Sequence, residues 1–123
     1  MSVTRINKDG LTKILNGETQ RPGRCVVKFY SNDCHLCHNL KDYYEEISNS
    51  YEEENLYFYA FNVQDSPKID VQRGFSGVPT IEMIKVAEPN QTPAVKQLME
   101  PHTPNEHTWY SVKDIKDFIE KEK

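Results

Sequence analysis

Apolar residues recur along the chain in two rhythms, one of consecutive or alternating positions and one of steps of three and four, and their succession predicts a series of strands and helices. Residues 3–6 predict a strand, and residues 8–15 a helix ended by Asn16-Gly17, where glycine supplies a left-handed cap. Arg21-Pro22-Gly23 predicts a turn. Residues 25–30 carry β-branched and aromatic side chains at adjacent positions, the pattern of a central strand covered on both faces. A helix opening near Asp33 or Cys34 then sets Leu36, Leu40, Tyr43, Tyr44, Ile47 and Tyr51 on one core-facing stripe. Glu52-Glu53-Glu54 reads as its solvated end.

A further strand is predicted over 56–63, and Ser66-Pro67, an N-cap with proline at the first helical position, opens a short helix to Arg73. Strands over 80–86 and 93–99 flank the turn-rich Glu88-Pro89-Asn90-Gln91-Thr92, a connection suited to an antiparallel hairpin. Residues 111–121 close the series as a helix with Val112, Ile115, Phe118 and Ile119 on one face. Strand and helix in alternation, then a hairpin and a helix, predict an α/β fold in which helices flank a central mixed sheet.

The length of 123 residues suits one domain, read as 1–123, with a core that needs no crosslinks. A net charge of −4 without a basic cluster leaves no electrostatic footprint for nucleic acid. No segment is apolar enough to span a bilayer, and the charges at Arg5, Lys8, Asp9 and Lys13 argue against a signal peptide, so a soluble, cytoplasmic monomer is expected. The three cysteines are an odd number, which points to one active pair and one spare thiol rather than a secreted disulfide framework. Cys25, in the apolar run, is the spare, and its expected place is the core.

The pair is Cys34-His35-Leu36-Cys37, placed after a strand and at the opening of a helix, the context in which Cys-x-x-Cys is a redox dithiol. A helix N-terminus has unpaired N–H groups and roughly half a positive charge, which stabilises a thiolate there and makes Cys34 the nucleophile. Two intervening residues let Cys37 close on Cys34 within a turn, so the disulfide forms and breaks without unfolding. A protonated His35 favours the thiolate, while the Asp33 carboxylate disfavours it and also caps the helix. Zinc is the competing reading, since Cys34, His35, Cys37 and His38 are four potential ligands within five residues. One helical turn does not aim all of them at one ion, and no metal is expected. His38 reads as a helix-surface residue, and His102 and His107, in a proline-containing loop over 100–108, as exposed.

Val27-Lys28-Phe29-Tyr30 running into this motif, with Gly74-Phe75-Ser76-Gly77-Val78-Pro79-Thr80 further along, resembles the thioredoxin superfamily, its thioredoxin and protein disulfide isomerase-like domains in particular. The resemblance covers residues 25–86 strongly and both ends by element order. It implies a thioredoxin-like fold and a thiol–disulfide oxidoreductase that needs no cofactor, takes protein disulfides as substrates and is recycled by a reductase or glutathione. It also implies a cis Pro79 facing Cys34, with Gly77 and the backbone of Val78 pairing with an extended substrate segment. The chain departs from the family pattern in having Asn32-Asp33 where a tryptophan is usual, and His-Leu inside the motif. Lys28 stands where relatives place a buried carboxylate, and Ala60 where they place a partner lysine. Lys28 is then a neutral base with its pKa lowered by burial, a cation that stabilises a thiolate, or a side chain that snorkels to the sheet edge. Two other classes remain in view: a glutaredoxin-type enzyme using glutathione, for which Lys41 and Arg73 are the nearest cations and read as surface residues, and a non-enzymatic adaptor binding protein partners through the same surface.

If the motif interior sets the redox poise, His35→Gly raises the Cys34 pKa and moves the dithiol potential to more negative values, measured by equilibration against a glutathione buffer. Unchanged values of both would make His35 a surface residue without redox influence.

Overall fold

The computed structural model describes residues 3–18 and 23–123. Five strands are formed by Val3–Ile6 (β1), Gly23–Tyr30 (β2), Leu56–Asn62 (β3), Thr80–Val86 (β4) and Ala94–Gln97 (β5). Four α-helices occupy Lys8–Leu15 (α1), His35–Asn49 (α2), Ile69–Arg73 (α3) and Val112–Glu122 (α4). The strands form a mixed sheet in the order β1-β3-β2-β4-β5, parallel among the first three and antiparallel across β2/β4 and β4/β5. β2 is thus central, as its adjacent apolar positions predict.

Successive side chains of a strand point to opposite faces, so β2 feeds two cores. Val26 joins Leu40, Tyr44, Ile47, Ile81, Ile115 and Ile119 in a cluster between the sheet and α2 and α4. On the opposite face Cys25, Val27 and Phe29 pack with Leu11, Phe61 and Ile69 beneath α1 and α3. Full burial of each large aliphatic or aromatic side chain contributes about 1.5–3 kcal/mol, which makes this double-sided strand the main anchor of the fold. Tyr44 also ties α2 to the sheet, its hydroxyl lying 3.1 Å from the Val26 carbonyl oxygen and 2.9 Å from that of Tyr59. Its one proton serves one acceptor at a time.

Local chemistry sets most element ends. Ser111 and Asp114 make a reciprocal capping box at the start of α4. At the far end of that helix, Glu120 accepts a 2.7 Å hydrogen bond from the Tyr51 hydroxyl, and Lys123 pairs with Glu54 and Glu120. The side chain of Asn62 accepts from the Gln64 amide at 2.9 Å, which turns the chain into a 3-10 turn, so β3 stops one residue short of Val63.

Several boundaries differ from the expectations. α2 begins at His35, with Cys34 rather than Asp33 as its cap, because Cys34 is extended and its own sulfur accepts the Cys37 amide. Tyr43 is 40% exposed, since it lies a residue aside from the stripe that Leu40, Tyr44 and Ile47 occupy. Glu52–Glu54 is a separate 3-10 turn, not the end of α2. Ser66-Pro67 forms a turn in which the Ser66 carbonyl accepts from the Ile69 amide at 2.9 Å, and α3 starts only after it, with Lys68 as its cap. β5 is limited to residues 94–97. Of the predicted turn at 21–23, Arg21 and Pro22 lie outside the described residues, and Gly23 opens β2.

Two glycines after helices differ in their surroundings. Gly17 (φ +69°), just past α1, accepts from the Asn90 amide at 2.7 Å and leaves no room for a Cβ against the Gln91 carbonyl oxygen. Gly74 (φ +76°) caps α3 and faces open space. Gly74→Ala therefore carries only the left-handed backbone penalty of about 1 kcal/mol, and Gly17→Ala that penalty plus a backbone displacement. Urea unfolding of the two variants is expected to rank Gly17→Ala as clearly the less stable; equal midpoints would contradict the account.

Candidate active site

Between the end of β2 and the start of α2, the turn at 31–34 is held from three directions. The Asn32 side chain accepts from Asn62 Nδ2 at 2.9 Å, the Asn32 amide donates to Gln64 Oε1 at 3.1 Å, and His38 Nε2 lies 2.9 Å from the Asn32 carbonyl oxygen. The last contact makes Nε2 the donor nitrogen, and gives the otherwise exposed His38 a structural partner. Cys34 thus sits at the helix N-terminus on a braced turn.

Cys34 and Cys37 are joined as a disulfide with their Cα atoms 5.2 Å apart. The Cys34 sulfur accepts the Cys37 amide at 3.1 Å, the position that a capping oxygen usually takes. Cys34 is partly exposed, whereas Cys37, a turn inside the helix, is 3% exposed. His35, the first residue of α2, and Asp33, before the cap, are both exposed.

The segment after α3 reaches the same place. The Val78–Pro79 peptide is cis, and the Val78 carbonyl oxygen stands 3.6 Å from Cys34 Sγ. Thr80 Oγ1 donates to the Gly77 carbonyl at 2.6 Å, binding the segment to the start of β4. Phe75 packs on Phe29 with ring centroids 5.1 Å apart. Beside it lies a groove of about 400 Å³ whose walls include Leu36, Phe75, Pro79, Leu98 and Trp109. Leu98 and Trp109 come from the chain between β5 and α4, which no sequence signal connects to the motif. That chain is fastened to α2 where Asn39 Nδ2 donates to the His107 carbonyl at 2.8 Å, while the side chains of His102 and His107 are exposed as expected.

Lys28 does not snorkel to an edge. It lies in the central strand opposite Ala60, only 4% exposed, with its Nζ 4.9 Å from the Tyr44 ring centroid and 5.7 Å from that of Tyr30. Burial, with help from the neighbouring Lys41 and against the pull of Glu45, lowers its pKa to about 8. A cavity of about 260 Å³ is lined by Lys28, Cys37, His38, Lys41 and Glu45, so Lys28 borders one space with the buried cysteine of the pair. On the other face of β2, Cys25 is buried, and its pKa is pushed up to about 12 by that burial, with Glu82 adding to the effect. This inert thiol matches its expected place in the core.

Arg73 departs from the expected surface position. Its side chain is 21% exposed, and the guanidinium pairs with Glu82, whose side chain is 1% exposed on β4. Lys41 is exposed. No helix among the described residues is long and apolar enough to cross a membrane, and no cluster of three or more His, Cys, Asp or Glu side chains among them is placed to hold a metal.

The family model described as Thioredoxin matches residues 3–101. Among solved structures, the J-Trx1 fragment of ERdj5 is similar with a TM-score of 0.68 at 16% identity, over 97% of this chain and 50% of that one. The chain therefore spans about half the length of that fragment. The thioredoxin of Malassezia sympodialis, Mala s 13, is similar with a TM-score of 0.67 at 18% identity, over 98% of this chain and 90% of that one. No curated protein sequence matches. At these identities the structural likeness speaks for the fold, and the family match over residues 3–101 places the chain in the thioredoxin family.

Proposed function

We propose that the protein is a thiol–disulfide oxidoreductase acting on protein disulfides. The observation that carries this reading is the Cys34–Cys37 disulfide at the N-terminus of α2, with the outer sulfur 3.6 Å from the Val78 carbonyl. In the reduced protein, the Cys34 thiolate attacks one sulfur of a substrate disulfide, forming a mixed disulfide and expelling the first substrate thiolate, which takes up a proton. Cys37, as thiolate, then attacks Cys34 Sγ and expels the second. Two electrons pass from the dithiol to the substrate, which leaves as two thiols, and Cys34–Cys37 is left oxidised.

Position supports the division of roles. Cys34, partly exposed at the positive end of the helix, meets an incoming disulfide, and Cys37, enclosed behind it, meets only Cys34. His35, the exposed first residue of α2, is the neighbouring side chain through which the motif interior acts on Cys34. Lys28, with its pKa lowered to about 8 and its cavity shared with Cys37, takes the Cys37 proton as a neutral amine when the mixed disulfide is resolved. An extended substrate strand lies along Gly77 and Val78, main chain to main chain, beside Pro79. A reductase or glutathione returns the pair to the dithiol. We further propose, from the sequence, a cytoplasmic monomer that works without a cofactor and without nucleic-acid or membrane partners.

Cys37→Ser, reduced and mixed with native insulin, is expected to accumulate a covalent complex through Cys34 that dithiothreitol releases, and Cys34→Ser to form none. Alkylation of the reduced wild type near neutral pH should label Cys34 first. Preferential labelling of Cys37, or trapping by Cys34→Ser instead, reverses the roles.

Lys28 makes a prediction with a definite sign. Below pH about 8 the amine is protonated in both folded and unfolded chains, and the folded state bears the full penalty of burying it. Between about 8 and 10.5 the folded state releases the proton while the unfolded state keeps it, so this group's contribution to stability rises with pH across that window. Lys28→Met is therefore expected to be the more stable protein near neutral pH, by up to about 3 kcal/mol, and to lose that advantage near the ordinary lysine pKa of 10.5. The same variant should resolve mixed disulfides more slowly. Urea midpoints and single-turnover kinetics against pH check both, and a variant less stable than wild type near neutrality would refute the burial argument.

A further inference from the structure

Glu82 is a buried carboxylate that the exchange reaction does not use. It projects from β4 to the α3 face of the sheet, 1% exposed, and each of its oxygens has a partner. Oε1 accepts from Arg73 Nε at 3.2 Å and Nη2 at 3.1 Å, and Oε2 accepts from Gln97 Nε2 at 3.0 Å. Gln97 stands directly across the β4/β5 ladder from Glu82, and its Nε2 also reaches the Arg73 carbonyl oxygen at 3.3 Å. Arg73 is thus held by both its side chain and its backbone.

Stability alone is a poor reason for such a group. Taking an ion pair out of water costs nearly what its attraction returns, and apolar side chains of similar volume often serve a core as well. What apolar side chains lack is direction, which the planar guanidinium fork supplies. The direction matters because Arg73 leads into the active-site segment. Residues 74–79 carry Val78 to within 3.6 Å of Cys34, and they contain Gly74 and Gly77, which weaken any intrinsic shape. The downstream end of this segment is continuous with β4 at Thr80, whose hydroxyl also binds the Gly77 carbonyl at 2.6 Å. The upstream end is tied to the same strand through the Arg73 cluster and to β2 through the Phe75–Phe29 contact.

We propose that Arg73, Glu82 and Gln97 are a clamp, built on the buried Glu82, that holds residues 74–79 in register with Cys34, and that Arg73 and Glu82 are positioning residues for exchange with polypeptide disulfides. This rests on the reading of the dithiol given above. A polypeptide substrate lays its backbone along Val78 and needs that edge in place, whereas a small soluble disulfide needs only the Cys34 sulfur.

The test compares wild type with the double variant Arg73→Leu/Glu82→Met, which exchanges the ion pair for apolar side chains, and with Arg73→Lys, which keeps the charge and loses the fork. Amide hydrogen exchange is measured together with the reduction of insulin and of dithiobis-nitrobenzoate. In the double variant, exchange of the Phe75 amide, which donates to the Asp70 carbonyl oxygen at 2.9 Å, should quicken by about tenfold or more while β2 amides stay protected, and KM for insulin should rise about tenfold with little change in kcat. The rate with dithiobis-nitrobenzoate should be unchanged. Arg73→Lys should move in the same direction by less, and it carries the test if the double variant does not fold. Unchanged exchange of the Phe75 amide in a folded variant, or equal loss on both substrates, overturns the clamp. If wild type reduces neither disulfide, the oxidoreductase reading fails on its own, and the exchange data still decide whether the clamp holds the segment.

Discussion

A sulfur atom occupies the N-cap of α2. Cys34 Sγ accepts the Cys37 amide, where a serine, threonine or aspartate oxygen usually stands, and the site is organised around that choice. The atom that satisfies the helix start is also the one that lies 3.6 Å from the Val78 carbonyl oxygen, and the positive end of the helix bears directly on it. The surroundings serve this placement. Asn62, Gln64 and His38 hold the preceding turn, and Tyr44 and Leu40 lock α2 onto the sheet. Movement of α2 by a fraction of a turn would separate the sulfur from Val78.

Behind the dithiol the electrostatics take an unusual sign. A lysine lies in the central strand with two tyrosine rings near its amine, and burial shifts it toward the neutral form. Cation–π contacts offset part of the burial penalty, each by about 0.5–2 kcal/mol, while burial, the largest influence on the amine's charge, lowers its pKa. Lys28 and Cys37 line the same cavity, which is what supports the proton-transfer role proposed for the amine. Cys25, one strand face away and sealed among apolar groups, shows the opposite case of a thiol kept out of chemistry.

Periodicity together with turn and cap residues was enough for the element order, the two-sided burial of β2, the hairpin of β4 and β5 and the inward face of α4. These depend on which residues are apolar and at what spacing, and a long apolar stripe or a doubly covered strand has few alternative placements. The dithiol and the Gly-Val-Pro-Thr segment were also legible, since each is a contiguous motif. Ends of elements were less so. Asp33 looked like a cap because its side chain is a good acceptor, but a cap is chosen by backbone geometry, and the extended residue is Cys34. Ser66-Pro67 carried a helix-start signal and became a turn because the Ile69 amide closed back onto Ser66.

By itself, then, the chain determined an α/β scaffold of helices around a mixed sheet with a redox-competent pair at a helix start, because local spacing and strand chemistry act over a few residues and are written contiguously. Tertiary structure decided the rest. Arg73 and Glu82 are nine positions apart and belong to different elements, and nothing in either segment announces that the cation leaves the surface. The fate of Lys28 turned on Tyr44 and Lys41 of α2, brought over β2 by helix packing rather than by neighbouring sequence. Leu98 and Trp109 reach the groove from the chain after β5, which Asn39 fastens to α2. Burial and long-range pairing set charge state and access, and both are properties of neighbours that only folding supplies.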